Sequence, residues 1–135
     1  MAGYSTTPLW KKLGYTDGIS AYVEGAPLSY IRDLRMPYKM NVKWVKRPIP
    51  GIGFVHLFTA SRTYLEASLK SLRHAIEPGG MVWISWPKKS SGVASEVTEG
   101  LVRELALPLG FVDIKVCAID EVWSGLKLVI RKTNR

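Results

Sequence analysis

Two short, nearly continuous apolar runs separated by one helical stripe constrain this chain more than any other feature. Phe54-Val55-His56-Leu57-Phe58 and Met81-Val82-Trp83-Ile84-Ser85-Trp86 lack the alternation of a strand with one wet face. Strands buried on both faces read this way in parallel sheets. Between them, Leu65, Leu69, Leu72 and Ile76 recur at helical spacing and define one apolar face. Thr63 and Glu66 have the T-x-x-E spacing of a capping box, and Pro78-Gly79-Gly80 is the expected stop. A strand–helix–strand unit with both strands covered requires helices on both sides of a sheet, hence a three-layer α/β architecture.

The flanking segments extend the pattern. Thr7-Pro8 resembles an N-cap followed by a first-turn proline, opening a short helix with Leu9, Trp10 and Leu13 that stops at Gly14. Residues 19–23 read as a first strand, ending at Glu24-Gly25-Ala26-Pro27. A helix is expected from Pro27 to about Arg35, with Leu28, Ile31 and Leu34 on one face. Residues 40–45 read as a strand with one wetted face, closed by Lys46-Arg47-Pro48. After the polar loop Lys88–Ala94, a helix is expected from about Ser95, with Val97, Leu101 and Leu105 in one stripe. Two last strands, roughly 112–119 and 126–132, are joined so closely that they must be antiparallel neighbours. The expectation is one domain, residues 1–135, with about six strands, mostly parallel.

Composition removes several classes. The 135 residues are 47% hydrophobic and 22% charged, which supports a packed core rather than global disorder. One cysteine, Cys117, cannot make an internal disulfide, and His56 and His74 lack metal-ligand spacing, so no metal is expected. Cys117 is expected to pack as a small hydrophobe, and His56 as a neutral core histidine. No apolar run reaches the roughly 18 residues of a membrane span. The start Met1-Ala2-Gly3-Tyr4-Ser5 lacks the pattern of a signal peptide. A cytoplasmic location is expected.

With 19 Lys+Arg against 11 Asp+Glu, the formal net charge is +8. Residues 1–47 carry 8 basic and 3 acidic groups, residues 48–93 carry 5 and 2, and residues 94–135 carry 6 and 6. The excess therefore lies in the first 93 residues, a distribution that suits an anionic partner or a solvated basic face.

Two resemblances add to this reading. Leu72 to Trp86, with Glu77-Pro78-Gly79-Gly80 ahead of a strand, resembles the approach to the fifth strand of Rossmann-like methyltransferases. Gly110-Phe111 followed by two antiparallel strands resembles the end of that fold. The resemblance implies a mostly parallel sheet with an antiparallel C-terminal strand, one strand short of the usual seven. Further motifs resemble a family of short bacterial proteins of unknown function: Met1–Ser5 with Thr7-Pro8-Leu9, Trp86-Pro87-Lys88-Lys89 with Ser91-Gly92-Val93-Ala94, and Trp123 to Ile130 with Val116-Cys117-Ala118. That family implies a fold and no activity.

In nucleotide-binding α/β folds, glycines after the first strand let backbone N–H groups approach the ligand. Glu24, Gly25 and Ala26 stand at that position here, but Pro27 follows and has no N–H. Methyltransferases also place a ribose-binding carboxylate at the end of the second strand, where this chain has Lys46 and Arg47. S-adenosylmethionine is therefore not expected, and no cofactor is. The segment Lys88-Lys89-Ser90-Ser91-Gly92 leaves the carboxyl end of a buried strand and is expected to precede a helix N-terminus, the strongest anion-binding candidate. Lys46 and Arg47 form a second such candidate.

Five tryptophans admit a stacking surface for single-stranded nucleic acid. Trp83 and Trp86, an odd number of residues apart on one strand, are instead expected on opposite buried faces. Trp123 is the expected exposed aromatic. Glu24, Asp120 and Glu121 could converge at the strand ends, but no nucleophile–base pattern or catalytic motif accompanies them. The leading expectation is a non-catalytic binding domain with a degenerate methyltransferase-like fold. Its basic surface would meet an anionic ligand, a nucleic acid or an acidic protein. The alternative is a small S-adenosylmethionine-dependent methyltransferase with an atypical cofactor loop.

Overall fold

A computed structural model describes residues 7–135, so the Met1–Ser5 motif and the signal-peptide reading lie outside the described residues. Six strands among them form one sheet: β1 (Ser20–Glu24), β2 (Lys43–Trp44), β3 (Ile52–Phe58), β4 (Ile76–Pro87), β5 (Phe111–Ala118) and β6 (Trp123–Ile130). Their order is β2-β1-β3-β4-β6-β5. The first four are mutually parallel, while β6 runs antiparallel to both β4 and β5. The expected α/β sheet, mostly parallel with an antiparallel last strand, is the one observed.

Continuous burial gives β3 its place in the middle: every residue from Ile52 to Phe58 is buried. On one side, α3 (Arg62–Ala75) and α4 (Glu99–Ala106) cover the sheet. Leu65, Leu69, Leu72 and Ile76 pack there against Val55, Leu57 and Ile84. On the other side, α1 (Leu9–Leu13) and α2 (Tyr30–Leu34) cover Phe54, Phe58 and Trp83. Trp83 and Trp86 indeed point to opposite cores, and Trp83 Nε1 donates to the Leu13 carbonyl at 2.8 Å. Cys117 is half-buried against the α1 side.

Several local expectations are corrected. Pro8 itself occupies the N-cap position of α1, with no side-chain cap; Gly14 ends the helix at φ 94° as expected. In α2 the inward residues are Tyr30 and Leu34, whereas Leu28 and Ile31 are 107% and 54% exposed. The helix has five residues, and its axis is set by what Tyr30 reaches below. The second strand is reduced to Lys43–Trp44, both exposed, so it is wetted on both faces. Such a short strand lets residues 45–51 return to the amino edge without a helix.

The cap of α3 is Ser61, whose hydroxyl accepts from Tyr64 N at 3.2 Å; Glu66 pairs with Lys70 instead of closing a box with Thr63. Ser61→Ala should therefore destabilise the protein by about 1 kcal/mol, while Thr63→Ala stays within about 0.5 kcal/mol. Urea midpoints of the two variants provide the check, and equal losses would restore Thr63 as the cap. Helix α3 ends at Ala75, and Pro78-Gly79-Gly80 lies inside β4. Gly80 fits there because a side chain would press on Ile76 and the Gly53 carbonyl. Helix α4 starts at Glu99 rather than Ser95, with Thr98 as cap and Val102 and Ala106 inward. Val97 is buried before the helix, and Leu101 and Leu105 are half-buried flanks. Strands β5 and β6 are antiparallel as expected, each beginning earlier than its expected range.

Candidate functional site

The order of strands reverses direction between β1 and β3, since the chain runs from β1 outward to β2 and then back across to β3. In open α/β sheets the crevice at the carboxyl ends of two such strands is where ligands bind. Register places Glu24 of β1 beside Leu57 of β3 at that edge. Tyr22 and Glu24 share one face of β1, and the Tyr22 hydroxyl donates to Glu24 Oε2. The Tyr64 hydroxyl, from the first turn of α3, faces Glu24 and Ser68. Burial, and then the hydrogen bond to Glu24, push the Tyr64 phenol up to about 12. The same causes in the same order raise Tyr22. Both phenols therefore stay protonated donors toward the carboxylate at ordinary pH.

Gly25 follows in the left-handed region at φ 76°, and a Cβ there would collide with the Phe58 carbonyl oxygen. The glycine thus lets the β1 exit rest directly on the end of β3. Ala26 packs toward the α1 side, and the Pro27 carbonyl accepts from Tyr30 N at 3.0 Å.

The basic candidates share the carboxyl edge without forming one site. Lys46 and Arg47 are exposed just beyond β2, where Val45 N still donates to the Ala21 carbonyl. Lys88 leaves β4, three strands across, which is about 14 Å at the usual strand spacing. None of Lys46, Arg47, Lys88 and Lys89 is in an ion pair among the described residues.

The loop after β4 folds on itself. Lys88 N donates to the Val122 carbonyl at 2.7 Å, and Lys89–Ser91 form one 3₁₀ turn ended by Gly92 at φ 76°. Ser91 Oγ donates to the Lys88 carbonyl at 2.6 Å and accepts from Val93 N. Its hydroxyl is thereby committed within the loop, while Lys89, Ser90 and Gly92 are exposed. The helix N-terminus expected beside this loop is displaced. Residues 95–97 form a hydroxyl-bridged turn, and Glu96 ties back to α3 through Ala60 and Arg62 before α4 begins.

Asp120 is engaged within its own turn: its carboxylate accepts from Val122 N and Trp123 N and shapes the β5–β6 connection. Trp123 is half-buried, edge-on to Phe58 at 5.2 Å, and the more exposed tryptophan is Trp44 at 42%. No group of three His, Cys, Asp or Glu side chains among the described residues is placed to hold a metal ion. No helix among them is long and apolar enough to cross a membrane.

One polar chain was not foreseen in full. Tyr15 and Tyr30 hydroxyls meet at 2.7 Å, Tyr30 OH meets His56 Nδ1 at 2.8 Å, and His56 Nε2 meets Ser85 Oγ at 2.8 Å. Burial lowers the His56 pKa to about 3, so the ring is neutral. The Ser–His pair has hydrogen-bonding geometry, but both residues are 0% exposed and no reacting atom can reach Ser85 Oγ. The chain is a buried polar spine joining α2 to β3 and β4. Its signal in the sequence was the expected core histidine; Tyr15 and Tyr30 carried none.

This strand order and the antiparallel sixth strand define a methyltransferase-like, Rossmann-type α/β fold. No protein-family model matches the chain, and no curated protein does. Solved structures share the fold. An S-adenosylmethionine-dependent methyltransferase from Aquifex aeolicus aligns with a TM-score of 0.63 at 13% identity, covering 89% of this chain and 86% of that one. A TehB-like S-adenosylmethionine-dependent methyltransferase from Corynebacterium glutamicum aligns at 0.54 and 9% identity, covering 96% and 91%. Human N-acetylserotonin methyltransferase, solved in complex with S-adenosylmethionine, aligns at 0.52 and 11% identity over 84% of this chain and 40% of its own length. At these identities the likeness is one of fold.

Proposed function

We propose that this chain is a small methyltransferase-like protein that binds S-adenosylmethionine at the carboxyl edge of β1 and β3. The fold carries the reading, because the six-stranded sheet aligns with an S-adenosylmethionine-dependent methyltransferase over 89% of this chain. Expecting no cofactor thus yields to the alternative. The fit of the residues is partial. Lys46 and Arg47 replace the usual ribose-binding carboxylate, but Glu24 supplies one on the neighbouring strand. Its carboxylate, already accepting from Tyr22 and facing Tyr64, is the group that would take ribose hydroxyls as further donors. When bound, S-adenosylmethionine supplies an electrophilic methyl group; Glu24 orients its ribose, and the Gly25 turn sets the loop beside it.

Isothermal calorimetry with S-adenosylmethionine and S-adenosylhomocysteine provides the test. Saturable micromolar binding is expected, weakened about tenfold or more by Glu24→Gln, since a hydrogen bond to a charged group is worth roughly 1.5–3 kcal/mol. Absence of heat with both ligands would overturn the reading.

A second reading keeps the fold without the cofactor: an anion-binding domain that meets an anionic ligand, nucleic acid or acidic protein through strand-end lysines. It is favoured by the close seating of Gly25 on Phe58 and by four cations without carboxylate partners among the described residues. Lys88→Ala/Lys89→Ala should then reduce affinity for nucleotides or polyanions, and unchanged affinity removes it.

A further inference from the structure

The amino edge of the sheet, opposite the candidate site, carries a groove of about 370 Å³. It lies where β6 ends and β4 begins, and Arg73, His74, Asn134 and Arg135 line it with Glu77. A second depression flanks the other side of Arg73, bordered by Lys70 and Leu109. Two guanidinium groups dominate the first groove, and both are held in the same way. Arg73 Nε donates to the Leu109 carbonyl at 2.8 Å, and Arg135 Nε donates to the Ile130 carbonyl at 2.8 Å. A guanidinium has five N–H donors, so each arginine is anchored by one and keeps four on its terminal nitrogens.

Local packing supports the arrangement. Gly110 lies directly beneath: a Cβ there would stand 3.0 Å from Arg73 Nε and 2.9 Å from Asn134 Nδ2. The segment after β6 is folded back over this glycine, with Arg131 N donating to the Gly110 carbonyl at 2.9 Å and Asn134 N to the Arg131 carbonyl at 2.8 Å. Neither Arg73 nor Arg135 forms an ion pair among the described residues. The carboxylate of Glu77 leans toward Gly53, to which its Oε2 comes within 3.4 Å of a Cβ position. The carboxyl end of α3 contributes about half a negative charge, less than the two guanidiniums together, and its Ala75 carbonyl is already taken by Gly51 N.

We propose that this groove is an anion site that takes a phosphate group, gripped between Arg73 and Arg135 with Asn134 beside them. Anchored guanidiniums lose less conformational freedom on binding than mobile lysines and match oxyanion geometry. Phosphate is favoured over carboxylate because donors arrive from two arginines and an amide, and a tetrahedral oxyanion offers acceptors to all of them. The counts along the chain hid this site: residues 94–135 balance to zero, yet folding brings Arg135 into the same groove as Arg73 at the end of α3. The site stands on the edge opposite β1–β3 and does not depend on S-adenosylmethionine.

Pyrophosphate and inorganic phosphate are the probes, titrated at low ionic strength by calorimetry. In parallel, the arginine Nε–Hε cross-peaks are followed by NMR. One-to-one binding is expected, with the Arg73 and Arg135 signals shifting together and affinity falling about tenfold in Arg135→Gln. Lys39→Gln, which removes one charge elsewhere on the surface, should change affinity less than twofold. No saturable binding to the wild type, unmoved arginine signals, or equal losses in Arg135→Gln and Lys39→Gln would each overturn the proposal.

Discussion

Acid should destabilise this protein through His56 before its carboxylates are titrated. The ring is fully buried, its nitrogens face Tyr30 OH and Ser85 Oγ, and the rings of Phe54, Phe58 and Trp83 lie beside it. No carboxylate bonds to it to stabilise a positive charge, so burial lowers its pKa to about 3 from the ordinary 6.5. Between those values the unfolded chain binds a proton that the folded chain refuses. Stability is therefore complete above about pH 6.5 and falls as pH drops, by roughly 1.4 kcal/mol per unit, until the folded ring itself protonates. Across the window the loss is of order 5 kcal/mol, comparable with the whole stability of a small domain. Urea midpoints between pH 7.5 and 5 isolate the effect, because carboxylates titrate mostly below that range. His56→Gln should start about 2–3 kcal/mol less stable, from the disturbed bonds to Tyr30 and Ser85, and then show a flat profile. An equally steep profile in the variant would assign the acid sensitivity elsewhere.

Burial at His56 was legible because the apolar run around it could only be a strand covered on both faces. The same reasoning carried β3, α3 and β4, where continuous burial and a long helical stripe leave one solution. It weakened where elements are short. Helix α2 has five residues, and spacing alone found Leu34 but could not choose Tyr30 over Leu28 and Ile31, since that choice follows from the buried partner His56. Ser61 was passed over because T-x-x-E at Thr63 is the stronger pattern, whereas an S-x-x-Y cap leaves no carboxylate to notice. At the candidate site, the alternation along β1 puts Tyr22 and Glu24 on one face, but no motif marks that pair as a site. Tyr64 could not be foreseen, because its approach depends on how α3 lies across the edge. Likewise the two lysine-containing pairs were assigned to the correct edge, but their separation is a matter of strand order, which no local pattern encodes. Arg73 and Arg135 come to line one groove for the same reason: the end of α3 and the segment after the last strand are brought together only by the strand order.

Gly25 separates packing from ligand binding at the β1 exit. Both Gly18 and Gly25 adopt positive φ, 84° and 76°, so an alanine at either position incurs the left-handed penalty of roughly 1–2 kcal/mol. The surroundings differ. Nothing lies within 4 Å of a Cβ at Gly18, whereas at Gly25 it meets the backbone carbonyl of Phe58, which is fixed in the central strand. Gly18→Ala should therefore cost about 1 kcal/mol and Gly25→Ala about 3 kcal/mol or more, the difference being the shift forced on β1 or β3. Urea denaturation of both variants measures that difference without any ligand. Equal losses would mean that the β1 exit stands clear of β3, leaving the crevice open for a nucleoside and strengthening the cofactor reading. A large excess at Gly25 means that the glycine serves the contact between strands. Loss of S-adenosylmethionine binding in Gly25→Ala would then report a displaced strand, and Glu24→Gln is the variant that addresses the ligand itself.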